Sequence, residues 1–292
     1  MKARLALLIL LPLAAFAAQD GGEAPLQDAN AIPAALAERY QEAFQLFTQN
    51  DFARAIVKYN EILTIDPRQK RAHEMIDLAR SRIAETTKKR QERLRSLLRT
   101  GQYEPAYLEL QQLVESDASH AYYKLLAERL PGIVKVVQKA PGGKAWGIAV
   151  KGLSGILGER EDVRLAHNAL RYARELEPEE ARFGQLLEWL YALKPGLSFD
   201  DAVPSGTNFM EYKQNVALSH IYGYKGYAAV QTLNEILALE PEDLISLKRL
   251  GSAYYTLGKR EQAKEAWTRA LRLAPDDAQL KKFLGKLATR PE

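Results

Sequence analysis

The chain has 292 residues, 41 Lys plus Arg against 37 Asp plus Glu, no cysteine and 47% hydrophobic residues, the make-up of a foldable protein of one to three domains. Without cysteine it has no disulfide framework, no thiolate zinc site, no cysteine nucleophile and no lipid on an N-terminal cysteine. A charged fraction of 27% leaves it too apolar for wholesale disorder, and the net charge of +4 has meaning only once the charges are placed along the chain.

Lys2 and Arg4 precede a compact apolar run, Leu5 to Ala14, and Ala15-Phe16-Ala17 offers small residues where a signal peptidase inspects them. The apolar run falls short of the roughly 20 residues a spanning helix needs. Residues 1–17 therefore read as a cleaved secretory signal, with cleavage after Ala17 or Ala18, and no later stretch is long enough to span a bilayer. Residues 18–34 are small, polar and proline-containing, a flexible leader. From residue 35 onward, amphipathic stretches of helical period follow one another. They are separated by breaks such as Gln49-Asn50-Asp51, Asp66-Pro67, Gly101-Gln102, Glu177-Pro178, Glu240-Pro241, Gly258-Lys259 and Ala274-Pro275. Strand alternation is nearly absent, so the expectation is an all-α chain of helical hairpins.

The breaks recur in a register. Residues 242–275 contain Leu247, Leu250-Gly251, Tyr254, Gly258, Ala263, Trp267, Ala270-Leu271 and Pro275, a spacing that resembles the tetratricopeptide repeat, a helix-turn-helix of 34 residues. Pro241 closes the preceding unit, with Val216-Ala217, Ala229, Leu233 and Ile236-Leu237 in frame and Gly223 and Gly226 near its turn. More degenerate copies close at Pro67, Ala118 and Pro178. The unequal spacing of these closures implies a solenoid of hairpins, an α-α superhelix, with irregular insertions between repeats. The resulting division is an N-terminal block with a long basic helix (35–130), a Gly/Pro hinge (131–147), a hairpin (148–194), a loop (195–207) and a C-terminal repeat pair with a capping helix (208–292). No helix breaker stands between Gln69 and Arg99, so one long helix or two nearly continuous ones are expected there. Small residues at Gly251, Ala263 and Ala270 let helices approach, and Tyr254 and Trp267 fill the space between hairpins.

The resemblance implies that partners meet a concave surface lined by the first helix of each repeat. Its second, fifth, ninth, twelfth and thirteenth positions are here Glu211, Gln214, Leu218, Ile221 and Tyr222, then Ile245, Lys248, Ser252, Tyr255 and Thr256. A subclass grips a terminal carboxylate with Lys and Asn at the fifth and ninth positions. Lys248 matches, but Ser252 replaces the Asn and Gln214 and Leu218 hold those places one unit earlier, so that clamp is not assembled. In the first unit Tyr40, Phe44 and Phe47 form an i, i+4, i+7 stripe, either packed core or a partner-binding patch.

The strongest charge feature is residues 68–99, with 11 Lys or Arg against 4 Asp or Glu. It reads as a solvated helix, or as a docking patch (Lys88, Lys89, Arg90, Arg93) for an anionic membrane or wall polymer. Nucleic acid is excluded for an exported chain without a reading motif. Pro131-Gly132 and Pro141-Gly142-Gly143-Lys144 lack the remainder of a phosphate loop. Asp200 and Asp201 read as turn formers, not ligands.

Catalytic signatures fail. His73-Glu74-x-x-Asp77 has Asp where a zinc-protease helix needs its second His, and Gly152-Leu153-Ser154-Gly155 has Ile156 where a nucleophile elbow needs Gly. Glu115-Ser116 resembles the catalytic pair of lytic transglycosylases, but nothing around it does. The expectation is a non-enzymatic interaction scaffold of a bacterial cell envelope, without cofactor, metal or small-molecule substrate, whose partners are proteins. The alternatives are an envelope tether acting through the basic helix, and a cell-wall enzyme or its accessory.

Overall fold

Apolar residues at helical spacing, broken by polar turns, fold into thirteen α-helices among the described residues. The computed structural model describes residues 34–199, 203–204 and 206–288. The expected signal, the leader through residue 33, and Asp200 and Asp201 lie outside them. The chain divides into two units, one through Thr86 and one from Thr87.

The first unit holds α1 (Ala34–Thr48), α2 (Phe52–Ile65) and the N-terminal part of α3 (Lys70–Arg99). Asp51 starts α2 by accepting a hydrogen bond from Arg54 N at 3.2 Å, satisfying an amide that the helix itself cannot. Leu36, Tyr40, Ala43, Ala55, Tyr59, Ile62, Ala72 and Ile76 form the core, with the Tyr40 and Tyr59 rings 6.1 Å apart between centroids.

The second unit continues with the remainder of α3, which is one uninterrupted helix. It is followed by α4 (Tyr103–Ser116), α5 (Ala121–Val136), α6 (Lys144–Ile156), α7 (Val163–Leu176) and α8 (Ala181–Leu193). A 3-10 turn (Pro195–Phe199) then leads to α9 (Phe209–Tyr222), α10 (Gly226–Leu239), α11 (Leu244–Thr256), α12 (Arg260–Leu273) and α13 (Ala278–Ala288). Neighbours in the chain pack on one another: α4 on α5, α6 on α7, α7 on α8, and each helix from α9 to α13 on the next. Tyr103, Trp146, Leu153 and Phe183 lie in one core built by α3 to α8, and Leu233, Leu247, Leu250 and Trp267 in another built by α9 to α13.

Two expectations about the middle of the chain are corrected. Residues 131–147 are not a hinge: Pro131 and Gly132 lie inside α5, and α6 begins at Lys144. The segment between them is tied to the α3–α4 turn, Ala140 N donating to Gly101 O at 2.8 Å and Glu104 N to Gln138 O at 2.9 Å. Residues 148–194 are not one hairpin, because α6, α7 and α8 make three helices.

Gly132 serves packing, since a Cβ there would stand 2.3 Å from the Trp189 indole nitrogen. The same device recurs in the C-terminal pair, where a Cβ on Gly251 would stand 2.3 Å from the Trp267 ring. In both places absence of a side chain admits an indole, and truncating the buried Trp267 is expected to cost about 3–5 kcal/mol.

Candidate functional site

The turns of the hairpins share one geometry. A residue with φ between +56° and +72° stands at Asn50, Gly101, Tyr224 and Gly258. The next amide closes back on the carbonyl five residues earlier: Asp51 N to Leu46 O (3.0 Å), Gln102 N to Leu97 O (2.9 Å), Lys225 N to His220 O (2.8 Å) and Lys259 N to Tyr254 O (2.9 Å). This is the C-cap closure for which Gly is the usual residue and Asn the next choice. Tyr224 is the exception, 97% exposed and flanked by Tyr222 at 75% and Tyr227 at 68%. Nothing in the repeat spacing marks this aromatic turn, and Gly223 and Gly226 point to its neighbours. Its signal in the sequence is the run Tyr222-Gly-Tyr224-Lys225-Gly-Tyr227 itself.

The first-helix face of α9 and α11 carries a second regularity. Gln214 Nε2 donates to Asp243 Oδ1 at 2.9 Å, and Lys248 Nζ pairs with Asp277 Oδ2 at 2.8 Å. Each aspartate also caps a helix start, Asp243 accepting from Ser246 N (2.7 Å) and Asp277 from Leu280 N (3.0 Å). Each latch therefore joins the fifth position of one first helix to the start of the next. The pairing holds the Asp277 carboxyl below its ordinary range, the Lys248 hydrogen bond being the largest cause and the Leu280 amide the next. Arg249 Nη1 donates to Gln214 O at 2.6 Å, fastening α11 to α9 directly.

Lys248, expected in the groove, is thus occupied in holding the stack together. Ser252 Oγ turns back to Lys248 O at 3.1 Å, and Leu218 is half-buried. Tyr222, Ile245 and Tyr255 are exposed, as is Glu211, so this face offers a partner mainly aromatic and apolar surface.

The stripe on α1 divides. Tyr40 is 6% exposed, with its hydroxyl donating to Gln69 Oε1 at 3.2 Å, and so belongs to the core rather than to a binding patch. Burial raises its phenol above the ordinary range. Phe47 is half-buried, edge-on to Phe52 at 5.1 Å between centroids. Phe44 is 54% exposed.

The basic helix is less available than its charge count suggests. Arg90 and Arg93 both pair with Glu109 of α4, at 3.2 and 3.1 Å, and Arg95 pairs with Glu159 at 2.8 Å. Arg80 and Arg82 meet Asp77 and Glu85 on their own helix. Arg90 and Arg93 thus share one carboxylate while remaining at the surface, so part of the charge of the expected anionic-partner patch is paired. Lys88 and Lys89 are exposed.

Below the aromatic turn, Lys213 occupies the position that Leu247 holds one repeat later, and it too is buried. Its ammonium meets Glu235 Oε2 at 3.2 Å, and Asn168 Nδ2 donates to the same oxygen at 3.2 Å. Among the described residues no group of three or more His, Asp or Glu is placed to hold a metal ion, and no helix is long and apolar enough to cross a membrane. Ser154 Oγ donates to Val150 O within α6, and Ser116 Oγ to Leu113 O within α4, as helix-bound hydroxyls do.

Helical hairpins stacked by register, with aromatic anchors left on one face, define a repeat protein. Residues 245–277 match the family model described as tetratricopeptide repeat, and the chain carries that repeat over α11 and α12. Among solved structures, the crystal structure of the P58(IPK) TPR domain is 16% identical, covering 86% of this chain and 78% of that one, with a TM-score of 0.27. No curated protein matches.

Proposed function

We propose that this protein is a non-enzymatic scaffold that, once exported to the bacterial cell envelope, holds a segment of a partner protein on the first-helix face of its C-terminal repeats. One observation carries the reading. The polar groups at the fifth positions, Gln214 and Lys248, are spent on latches, while Tyr222, Ile245 and Tyr255 stay exposed on the same helices. A face whose lysine is already paired and which carries exposed tyrosine recognises apolar or aromatic anchors, not a terminal carboxylate. The fold supports a role in protein interaction generally, and the signal-like residues 1–17 support export.

Capture of partners from envelope extracts by the wild-type chain, compared with Tyr222→Ala/Tyr255→Ala, tests the face. Each truncation is expected to weaken the complex about tenfold or more, and undiminished recovery by the double variant would refute the assignment. N-terminal sequencing of the exported chain is expected to begin at Ala18 or Gln19.

A further inference from the structure

The α9–α10 and α11–α12 turns lie side by side. Lys259 Nζ stands 5.0 Å from the centroid of the Tyr227 ring, and a Cβ on Gly226 would meet the Leu257 side chain at 2.7 Å. Together they make one edge of the C-terminal pair, and its chemistry differs from that of the neighbouring face. Tyr222, Tyr224 and Tyr227 put three exposed phenol rings on it. Lys225 and Lys259 are the N-cap residues of α10 and α12, and neither start carries a side-chain cap hydrogen bond. Two lysines therefore sit over the positive ends of two helices, where an acidic or hydroxyl side chain is usual. Within residues 220–227 and 255–261 stand the cations Lys225, Lys259 and Arg260 and one carboxylate, Glu261.

The α6–α7 turn brings Asp162 into the cleft that Tyr227 also lines. Its acids are engaged: Glu159 with Arg95, Glu161 with Arg129 and Lys194, and Asp162 with Leu165 N.

We infer that this edge docks the protein on an anionic lipid surface. Tyr224, at 97% exposure, stands clear of the protein and has no wall beside it against which a peptide could be held. A planar layer of headgroups needs no wall. Phenol rings settle at the depth of the headgroups, with the ring in the apolar boundary and the hydroxyl in water, and lysine stems lie along the same boundary with the ammonium toward phosphate. The cations supply attraction to anionic headgroups and the tyrosines supply the anchor.

The test is co-sedimentation of the protein, purified as the cell processes it, with vesicles of phosphatidylcholine alone or with about 30% phosphatidylglycerol. Binding is expected only to the anionic vesicles and is expected to weaken between about 0.1 and 0.5 M salt. Lys225→Glu/Lys259→Glu should lower the partition by roughly fivefold or more per lysine. Tyr224→Gly/Tyr227→Ser should lower it without lowering the melting temperature. Lys88→Glu/Lys89→Glu should leave it unchanged.

Equal binding to neutral vesicles, no binding to either, or loss of binding through Lys88 and Lys89 with the edge variants unaffected would each overturn the inference. Binding to a soluble polyglutamate peptide in place of vesicles would overturn it in favour of an acidic protein segment. Because Tyr222 is left intact, the scaffold reading stands or falls separately.

Discussion

Tyr224 does at one turn what Asn50, Gly101 and Gly258 do at the others, and it does so with a side chain that favours the opposite sign of φ. For a residue with a Cβ the left-handed conformation costs roughly 1–2 kcal/mol, and at 97% exposure no packing offsets it. Tyr224→Gly is therefore expected to stabilise the fold by about 1 kcal/mol, less than the full strain because glycine also gains freedom in the unfolded chain. In a scanning melt that is a rise of about 2–4 °C, and an unchanged or lower melting temperature would show that the turn is not strained. The sequence hides this residue, since Gly223 and Gly226 flank it and draw the turn to themselves. The α1 stripe shows the same limit of resolution. Helical spacing puts Tyr40 and Phe44 on one face, but only the structure shows Tyr40 buried over Gln69 and Phe44 left in solvent.

At the scale of elements, α8 depends on its first turn. Glu180 accepts from Arg182 N at 3.2 Å, from the Arg182 guanidinium, and from Trp146 Nε1 at 3.3 Å. Those bonds, the Arg182 side chain first among them, hold its carboxyl at about 2 instead of the ordinary 4.5. A depressed folded-state pKa means that the carboxylate's stabilisation is fully present above about pH 4.5 and is lost as the pH falls toward 2. Glu180→Gln is expected to melt below the wild type at neutral pH and to converge with it near pH 2. A gap of constant size across that range would show that the charge contributes nothing.

Helix existence was broadly legible in the sequence, and so was the repeat over 245–277, because Leu247, Gly251, Tyr254, Ala263, Trp267 and Pro275 each have a packing reason to stand where they do. What escaped it was pairing across long separations. Gly132 reads as a breaker until Trp189 is seen against it. The run of arginines in α3 reads as an open patch until Glu109 and Glu159 arrive from other helices.

For the molecule as a whole, the informative stretch is the middle of α3. Between Ala79 and Leu94 no residue is buried, and the boundary of the two units falls there. Ahead of Arg90, where the contacts to α4 begin, this stretch buries no side chain, so it opens locally more readily than the packed helices do. Brief trypsin digestion under native conditions is expected to cut first between Arg80 and Lys89. First cuts within α6, α7 or α12 would contradict this.

The two latches have a consequence for descent. Gln214 and Lys248 each reach 29 residues forward to an aspartate that starts the next helix. Loss of either partner strands the other, so relatives of this chain should keep or exchange the two positions together. Covariation at that fixed separation would let an aligned family be counted in repeats even where the packing signature has eroded.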